Sequence, residues 1–326
     1  MSLRVIDAEQ VRRLLPLAEC IDLMAYAMRA ASKGQIAVPK RLIARLIDDS
    51  GQFLLMPGST LEPRVYGAKL INVHPANAAH GRPLHQGFVA LFDHDTGAPL
   101  AIVEGAEITG LRTAAASGLA TRVLARHDAK THGVFGAGLQ AATHIRAVAA
   151  VRSIERVVIW ARKLSSAQKL AGELESELDC EIIASADPAV AGGCDIVTTV
   201  TAAREPVVHG SWIRPGAHLN VVGAHTPTTR EVDDETVVNS AIYVDLMQSA
   251  LSEAGDLLIP INAGVLHSSA IVGEIGQVLA GEIRGRIDST QITLYKSLGV
   301  VAQDLIAAAH VYQRAVEQDL GAVVSL

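Results

Sequence analysis

The run Gly136-Ala137-Gly138-Leu139-Gln140-Ala141 follows a short apolar stretch, Thr131 to Phe135, and opens a helical pattern. A strand passes into a helix in this way around a dinucleotide pyrophosphate. Gly136 allows the tight turn, Gly138 lets the backbone approach the phosphates, and the small Ala141 lets helix and strand pack closely. Arg112 stands in Thr109-Gly110-Leu111-Arg112-Thr113, ahead of a small-residue helix. A guanidinium placed there can hold a carboxylate in a bidentate pair, although a structural ion pair explains it as well. Lys69 ends Gly67-Ala68-Lys69 inside an apolar strand pattern. Desolvation would lower its pKa and suit it to proton transfer at an imine or amine nitrogen.

Cofactor preference turns on the second strand of the glycine-turn fold. That strand ends Trp160-Ala161-Arg162-Lys163, where an NAD-preferring site places an acid against the ribose 2′-hydroxyl. Arg162 and Lys163 would instead accept a 2′-phosphate, so NADP(H) is favoured over NAD(H). The same pair could simply solvate a helix start. The twelve histidines form no metal-ligand pattern, and no metal site is expected.

These residues need rigid elements to hold them. Ala8 to Ser32 reads as helical, with Leu14, Leu15, Leu17, Ile21, Leu23 and Met24 on apolar faces. Strands are predicted at Arg41 to Ile47, Gln52 to Met56, Tyr66 to Val73, Gly87 to Asp93 and Pro99 to Glu104. Pro57-Gly58 and Asp95-Thr96-Gly97 are among the turns between them. This first third predicts an α+β layer. From about residue 119 strands alternate with helices, at 132–135, 156–161, 181–184, 195–200, 218–222 and 241–245, with a helix from Ser165 to Leu178. That rhythm predicts α/β architecture with a Rossmann-type, doubly wound parallel sheet over 119–299. A last helix, Val300 to Val316, has no further strands predicted beside it. It is expected to return to the first domain, making that domain 1–118 with 300–326.

With 326 residues, 49% hydrophobic and 19% charged, the chain can bury two cores. A formal charge of −6 and the lack of basic runs interleaved with aromatics argue against nucleic acid. Cys20, Cys180 and Cys194 follow no framework and are expected to be buried thiols. The polar start and interrupted apolar runs predict a cytoplasmic protein with no membrane partner.

Several stretches together resemble the ornithine cyclodeaminase/mu-crystallin family. They are Pro39-Lys40-Arg41, Met56-Pro57-Gly58, Gly67-Ala68-Lys69, His74-Pro75-Ala76-Asn77, Thr109 to Ala116, the glycine run, Asn220 to Ala224, Glu253-Ala254-Gly255-Asp256 and Thr293 to Gly299. The resemblance implies a homodimer whose first domain carries the substrate site and the dimer contacts, with a central nicotinamide domain. It implies that Arg112 and, with Lys40 and Arg45 as neighbours, Arg41 bind the substrate carboxylate. It places Lys69 at the reacting centre and His85 at the pocket wall. Thr113, Gly136, Ala137, Gly138, Leu139, Gln140, Ala161, Arg162, Lys163, Thr199, Val200, Val222, Gly223 and Lys296 are expected around the cofactor. Deaminating members carry an Asp one residue beyond the Gly223-Ala224 pair, where this chain has His225, a possible acid or base. That departure favours reduction of cyclic imino acids such as Δ1-pyrroline-2-carboxylate over ornithine or lysine cyclodeamination, linear amino acid dehydrogenation or a non-catalytic binding role. Glu253 and Asp256 are expected to be structural or pocket residues.

Overall fold

The computed structural model describes residues 2–325, which form two compact units. One runs to Arg112 and resumes at Val300; the other is Thr113–Gly299. The division falls inside helix Gly105–Leu124, upstream of the 118/119 boundary expected from the change of rhythm.

In chain order the first unit contains β1 (Ser2–Ile6), helices Ala8–Leu14 and Leu17–Ser32, then β2 (Ile36–Ala37), β3 (Leu42–Arg45), β4 (Gln52–Leu61), β5 (Arg64–Val73), β6 (His85–Asp93) and β7 (Pro99–Glu104). Asp7 starts the first helix through a capping box: its carboxylate accepts from Gln10 N at 2.9 Å, and the Gln10 side chain accepts from Asp7 N at 3.1 Å. Pro57-Gly58 is not a turn but lies inside β4. On the outer side of β4, β3 pairs with residues 52–55 and β2 with 59–60. Residues 56–58 lie in the gap, where a ring in place of an N–H is tolerated.

The second unit adds β8 (Thr131–Phe135), β9 (Arg156–Trp160), β10 (Glu181–Ser185), β11 (Ile196–Thr199), β12 (His218–Val221), β13 (Ser240–Val244), β14 (Ile271–Glu274) and β15 (Ile292–Lys296). The chain then re-enters the first unit as helix Val301–Glu317 and β16 (Ala322–Ser325). Strands therefore flank that helix on both sides, contrary to the sequence expectation. The pattern was obscured because β15 is short and buried and β16 is an exposed edge.

The first sheet has the order β16-β1-β7-β6-β5-β4-β2, with β3 also on β4. Helix Val301–Glu317 lies on β4, β5 and β6 and against helix Leu17–Ser32. Alternation along β5 sends Val65, Lys69 and Ile71 into this covered face. The opposite face presents Leu55, Tyr66, Leu70, Phe88, Phe92 and Ile102, none of them fully buried, with Tyr66 stacked on Phe92 at 5.2 Å.

The second sheet is parallel throughout, in the order β10-β9-β8-β11-β12-β15-β13-β14. Both faces are packed. Phe135, Val158, Val197 and Leu219 serve one core, and Val134, Val157, Ile159 and Ile196 the other, as a doubly wound sheet requires. The order reverses between β8 and β11, which is the switch point where such folds take ligands.

Three histidines sit fully buried in this unit. The His132 ring bonds Thr198 Oγ1 at 2.9 Å. His144 donates from Nδ1 to Gln140 O at 2.7 Å and meets Ser117 Oγ at 3.0 Å. His218 bonds Thr293 Oγ1 at 2.9 Å. Burial pushes their pKa values down to about 3, about 4 and about 3. They stay neutral in the folded chain, whereas the unfolded chain protonates them near pH 6.5. Proton uptake then favours unfolding as pH falls below 6.5, so the stability these groups contribute is complete above that value. Each contributes a slope of about 1.4 kcal/mol per pH unit until its folded pKa is reached. Urea midpoints should fall steeply between pH 6.5 and 4, and His218→Gln should flatten the slope. An unchanged slope in a folded His218→Gln would remove that ring as a cause.

Candidate active site

The first unit buries a compact charge cluster. Lys69 on β5 is 2% exposed, Arg112 on helix Gly105–Leu124 is 5% exposed, and Asp304 on helix Val301–Glu317 is fully enclosed. Lys69 Nζ donates to Asp304 Oδ1 at 3.1 Å, and Arg112 Nε donates to the same oxygen at 2.9 Å. Arg112 Nη1 donates to Gln303 Oε1 at 2.9 Å, and Gln303 Nε2 reaches Met28 Sδ at 3.3 Å. The guanidinium is held by two of its five N–H groups, so three remain for a planar anion.

Electrostatics follow from that geometry. Burial, then the Arg112 charge, brings the Lys69 pKa down to about 7; Asp304 opposes the fall and Arg41 adds to it. Burial would raise the Asp304 carboxyl, but Arg112 and Lys69 outweigh it and hold the group below its ordinary value. Asp304 was missed in the sequence reading. It lies in the first turn of a strongly apolar helix, and its proximity to Lys69, 235 positions away, is a property of the fold alone. Arg41, half-buried just before β3, is close enough for its charge to act on Lys69. Exposed His85 opens β6 opposite Val73, whereas Lys69 pairs with Val89. It therefore lies roughly 13 Å along the ladder from Lys69.

The glycine turn belongs to the second unit. Gly136 has φ +127, and a Cβ there would lie 2.9 Å from the Val200 carbonyl, so a side chain is excluded on both counts. Its N–H donates to Trp160 O at 2.9 Å, tying the turn to the end of β9. Gly138 is the N-cap of helix Leu139–Ala149, with no side-chain cap and open space around it. First-turn N–H groups are thus left for an anion. Ala141 is fully buried, Ala137 half-buried and Leu139 exposed, and the enclosed Gln140 Oε1 accepts no hydrogen bond among the described residues. Half-buried Ala161 precedes Arg162 and Lys163, which are exposed and form no ion pair among the described residues. Thr113 is buried in its helix. These features fit a dinucleotide: a side-chain-free turn, an uncapped helix start and two unengaged cations.

A buried acid, Glu231, joins the loops after β11 and β12. Its Oε1 accepts from Thr201 N and Thr201 Oγ1, both at 2.7 Å; its Oε2 accepts from Thr199 Oγ1 at 2.8 Å and Gly223 N at 2.6 Å. Val222 N donates to Thr199 O at 3.0 Å, and Val200 N to Phe135 O at 2.9 Å. Burial and then Asp256 raise the Glu231 pKa against Lys296 and the Thr201 bonds. Lys296, expected beside the cofactor, is fully enclosed: its ammonium meets Asp256 at 2.8 Å and donates to Ala224 O at 2.6 Å. Within the chain that ammonium ties the loop after β12 to Asp256, because burial keeps it with a fixed anion. The Thr199 hydroxyl is likewise engaged with Glu231. Asp256 also accepts from Glu231 N at 2.7 Å, and Glu253 is buried beside that segment. His225 is exposed on the loop after β12, its Nδ1 3.0 Å from Gly223 O. Cys20 and Cys194 are buried, whereas Cys180 is half-buried. No helix among the described residues is long and apolar enough to cross a membrane. No trio of His, Cys, Asp or Glu among them is placed to hold a metal ion.

A parallel sheet with a glycine turn at its switch point, in a chain that also buries a lysine and an arginine on one carboxylate, defines a nicotinamide-dependent oxidoreductase. The chain belongs to the ornithine cyclodeaminase/mu-crystallin family, whose model matches residues 2–319. The Δ(1)-pyrroline-2-carboxylate reductase of Bacillus cereus is 35% identical over 320 residues, 97% of this chain and 98% of the relative. The structure of Thermococcus litoralis Δ(1)-pyrroline-2-carboxylate reductase with NADH and L-proline matches with a TM-score of 0.95 at 37% identity, covering 98% of this chain and 99% of that one. An archaeal alanine dehydrogenase dimer with bound NAD matches with a TM-score of 0.94 at 28% identity, covering 100% of both chains.

Proposed function

We propose that the chain reduces small cyclic ketimine carboxylates, converting Δ1-pyrroline-2-carboxylate to L-proline and Δ1-piperideine-2-carboxylate to L-pipecolate. The observation that carries this reading is the pairing of Lys69 and Arg112 on one buried oxygen of Asp304. Arg112, assisted by Arg41, binds the substrate carboxylate through its remaining N–H groups. Lys69 gives a proton to the ring nitrogen, which makes the neighbouring carbon electrophilic, and is left as a neutral amine. A bound dihydronicotinamide supplies the hydride that completes the C–H bond. Alignment of such partners accounts for roughly 7–11 kcal/mol of a barrier. No step is assigned to His225.

The dinucleotide is held by the Gly136 turn and the helix start at Leu139. Arg162 and Lys163 favour NADPH, since among the described residues neither forms an ion pair. NADPH and NADH oxidation with both imines, formed in solution, tests the reading. NADPH turnover is expected to exceed NADH turnover, and Arg162→Ser with Lys163→Ser should narrow the gap. Turnover of neither imine, or ammonia release from L-ornithine with catalytic NAD, would sink it.

The homodimer reading rests on the uncovered sheet face, whose Leu55, Tyr66, Leu70, Phe88 and Phe92 are apolar. A large apolar patch of this kind on a well-packed unit is the mark of an interface. Sedimentation should give twice the 34.3 kDa chain mass, and Leu70→Arg should release monomers. A wild-type monomer at micromolar concentration would contradict the assignment.

A further inference from the structure

We propose that Asp304 is the positioning residue of this site, holding the acid and the carboxylate clamp in one fixed relation through a single oxygen. The proposal rests on the reductase reading for the roles of Lys69 and Arg112; its own content is the part played by a residue on a third element. Three separate segments meet at Asp304 Oδ1. Lys69 arrives from β5 at 3.1 Å and Arg112 from helix Gly105–Leu124 at 2.9 Å, while the carboxylate belongs to helix Val301–Glu317. Gln303, the preceding residue on that helix, takes a second N–H of Arg112 at 2.9 Å. Two adjacent residues of one helix thus fix the guanidinium plane and the lysine together.

The second carboxylate oxygen supports a role beyond folding. Asp304 Oδ2 is enclosed and accepts no hydrogen bond among the described residues. An enclosed acceptor without a donor is costly to keep. Here one oxygen gathers the two cations and the other is left for a donor from outside the chain, such as the ring N–H that forms when the imine nitrogen is protonated.

The charges around Lys69 make the consequence definite. Arg112 and Arg41 act on it as cations and Asp304 as the anion. Cys20, on helix Leu17–Ser32, lies within the field of Arg112, but burial pushes its thiol up to about 12, so it stays uncharged. Asp304 is therefore the negative charge that keeps an ammonium at Lys69 beside a guanidinium. Removing it leaves two cations facing each other, and Lys69 releases its proton at lower pH.

The test follows Lys69 directly and through turnover. The ¹³Cε resonance of Lys69, assigned by its loss in Lys69→Met, is titrated in wild type, Asp304→Asn and Asp304→Glu. Asp304→Asn should move the midpoint down by about one pH unit or more, the size of effect expected from an opposite charge in contact. The alkaline limb of kcat/KM for Δ1-pyrroline-2-carboxylate should move with it, and KM should rise as the Arg112 plane loosens. Asp304→Glu should restore the midpoint and the limb in large part. A folded Asp304→Asn with both unmoved would overturn the proposal. If Asp304→Asn does not fold, Arg112→Leu with Asp304→Asn removes one cation as well, and its Lys69 midpoint must lie below that of Arg112→Leu alone. A wild type that shows the Lys69 shift but no imine turnover would overturn the reductase reading and leave the role of Asp304 at Lys69 standing.

Discussion

Lys69→Ala is expected to lower kcat for imine reduction by about 10²–10⁴-fold, the range of a positioned general acid. Binding of the nicotinamide dinucleotide should stay at the wild-type level, because the glycine turn and the uncapped helix start at Leu139 do not involve Lys69. Lys69→Met, which fills the same buried volume, serves as the companion variant, and Asp304 keeps Arg112 as a partner at 2.9 Å in both. The wild-type pH profile is part of the same expectation. Lys69 has its pKa brought down to about 7, first by burial and then by Arg112. Its acidic form therefore prevails below that value and disappears above it. Reduction should decline as pH rises past about 7, whereas oxidation of the amine product, which needs the neutral lysine, should improve over the same window. Stopped-flow turnover with calorimetric cofactor titration separates the possibilities. Equal loss of cofactor affinity and turnover in Lys69→Ala would remove Lys69 from the proton transfer.

Arg112→Leu should act on substrate affinity instead. Each charge-assisted hydrogen bond to a carboxylate contributes about 1.5–3 kcal/mol. Loss of a two-bond clamp then raises KM for the imino acid by roughly a hundredfold or more. Arg112→Lys should rescue little, because an ammonium supplies charge without the planar fork. A second consequence distinguishes this variant from general damage. With the neighbouring positive charge gone, Lys69 should hold its proton to higher pH, and the alkaline limb of the residual activity should move up. An unshifted limb together with an unchanged KM would show that Arg112 is only the structural partner of Asp304.

Much of this site was legible before any coordinates, and the reasons are local. Gly136 was identifiable because a tight strand-to-helix turn admits few residues, and its φ of +127 bears this out. The doubly wound sheet was identifiable because β8 to β13 alternate with helices at nearly the predicted positions. Lys69 and Arg112 drew attention as charged residues in apolar surroundings. Other elements left weak local signals. Pro57-Gly58 carries turn chemistry, but pairing with β5 on one side and a gap on the other keeps it extended. Lys296 looked available in sequence, yet Asp256 and the Ala224 carbonyl claim it. Glu231 carried no motif at all; its importance lies in the five groups that converge on its two oxygens from residues 199, 201, 223 and 224.

Residue type and spacing alone determined the tight glycine turn, the alternating sheet that presents it and the presence of charged residues in apolar strands and helices. Those features depend on backbone dihedrals and hydrophobic period, which are written over a few neighbouring residues. Only the tertiary structure decided that Lys69 and Arg112 share one oxygen of Asp304, and that Lys296 is held apart by Asp256. A buried charge takes its proton affinity from its desolvation and from the charges of either sign that folding brings close, and those neighbours can come from any distance along the chain.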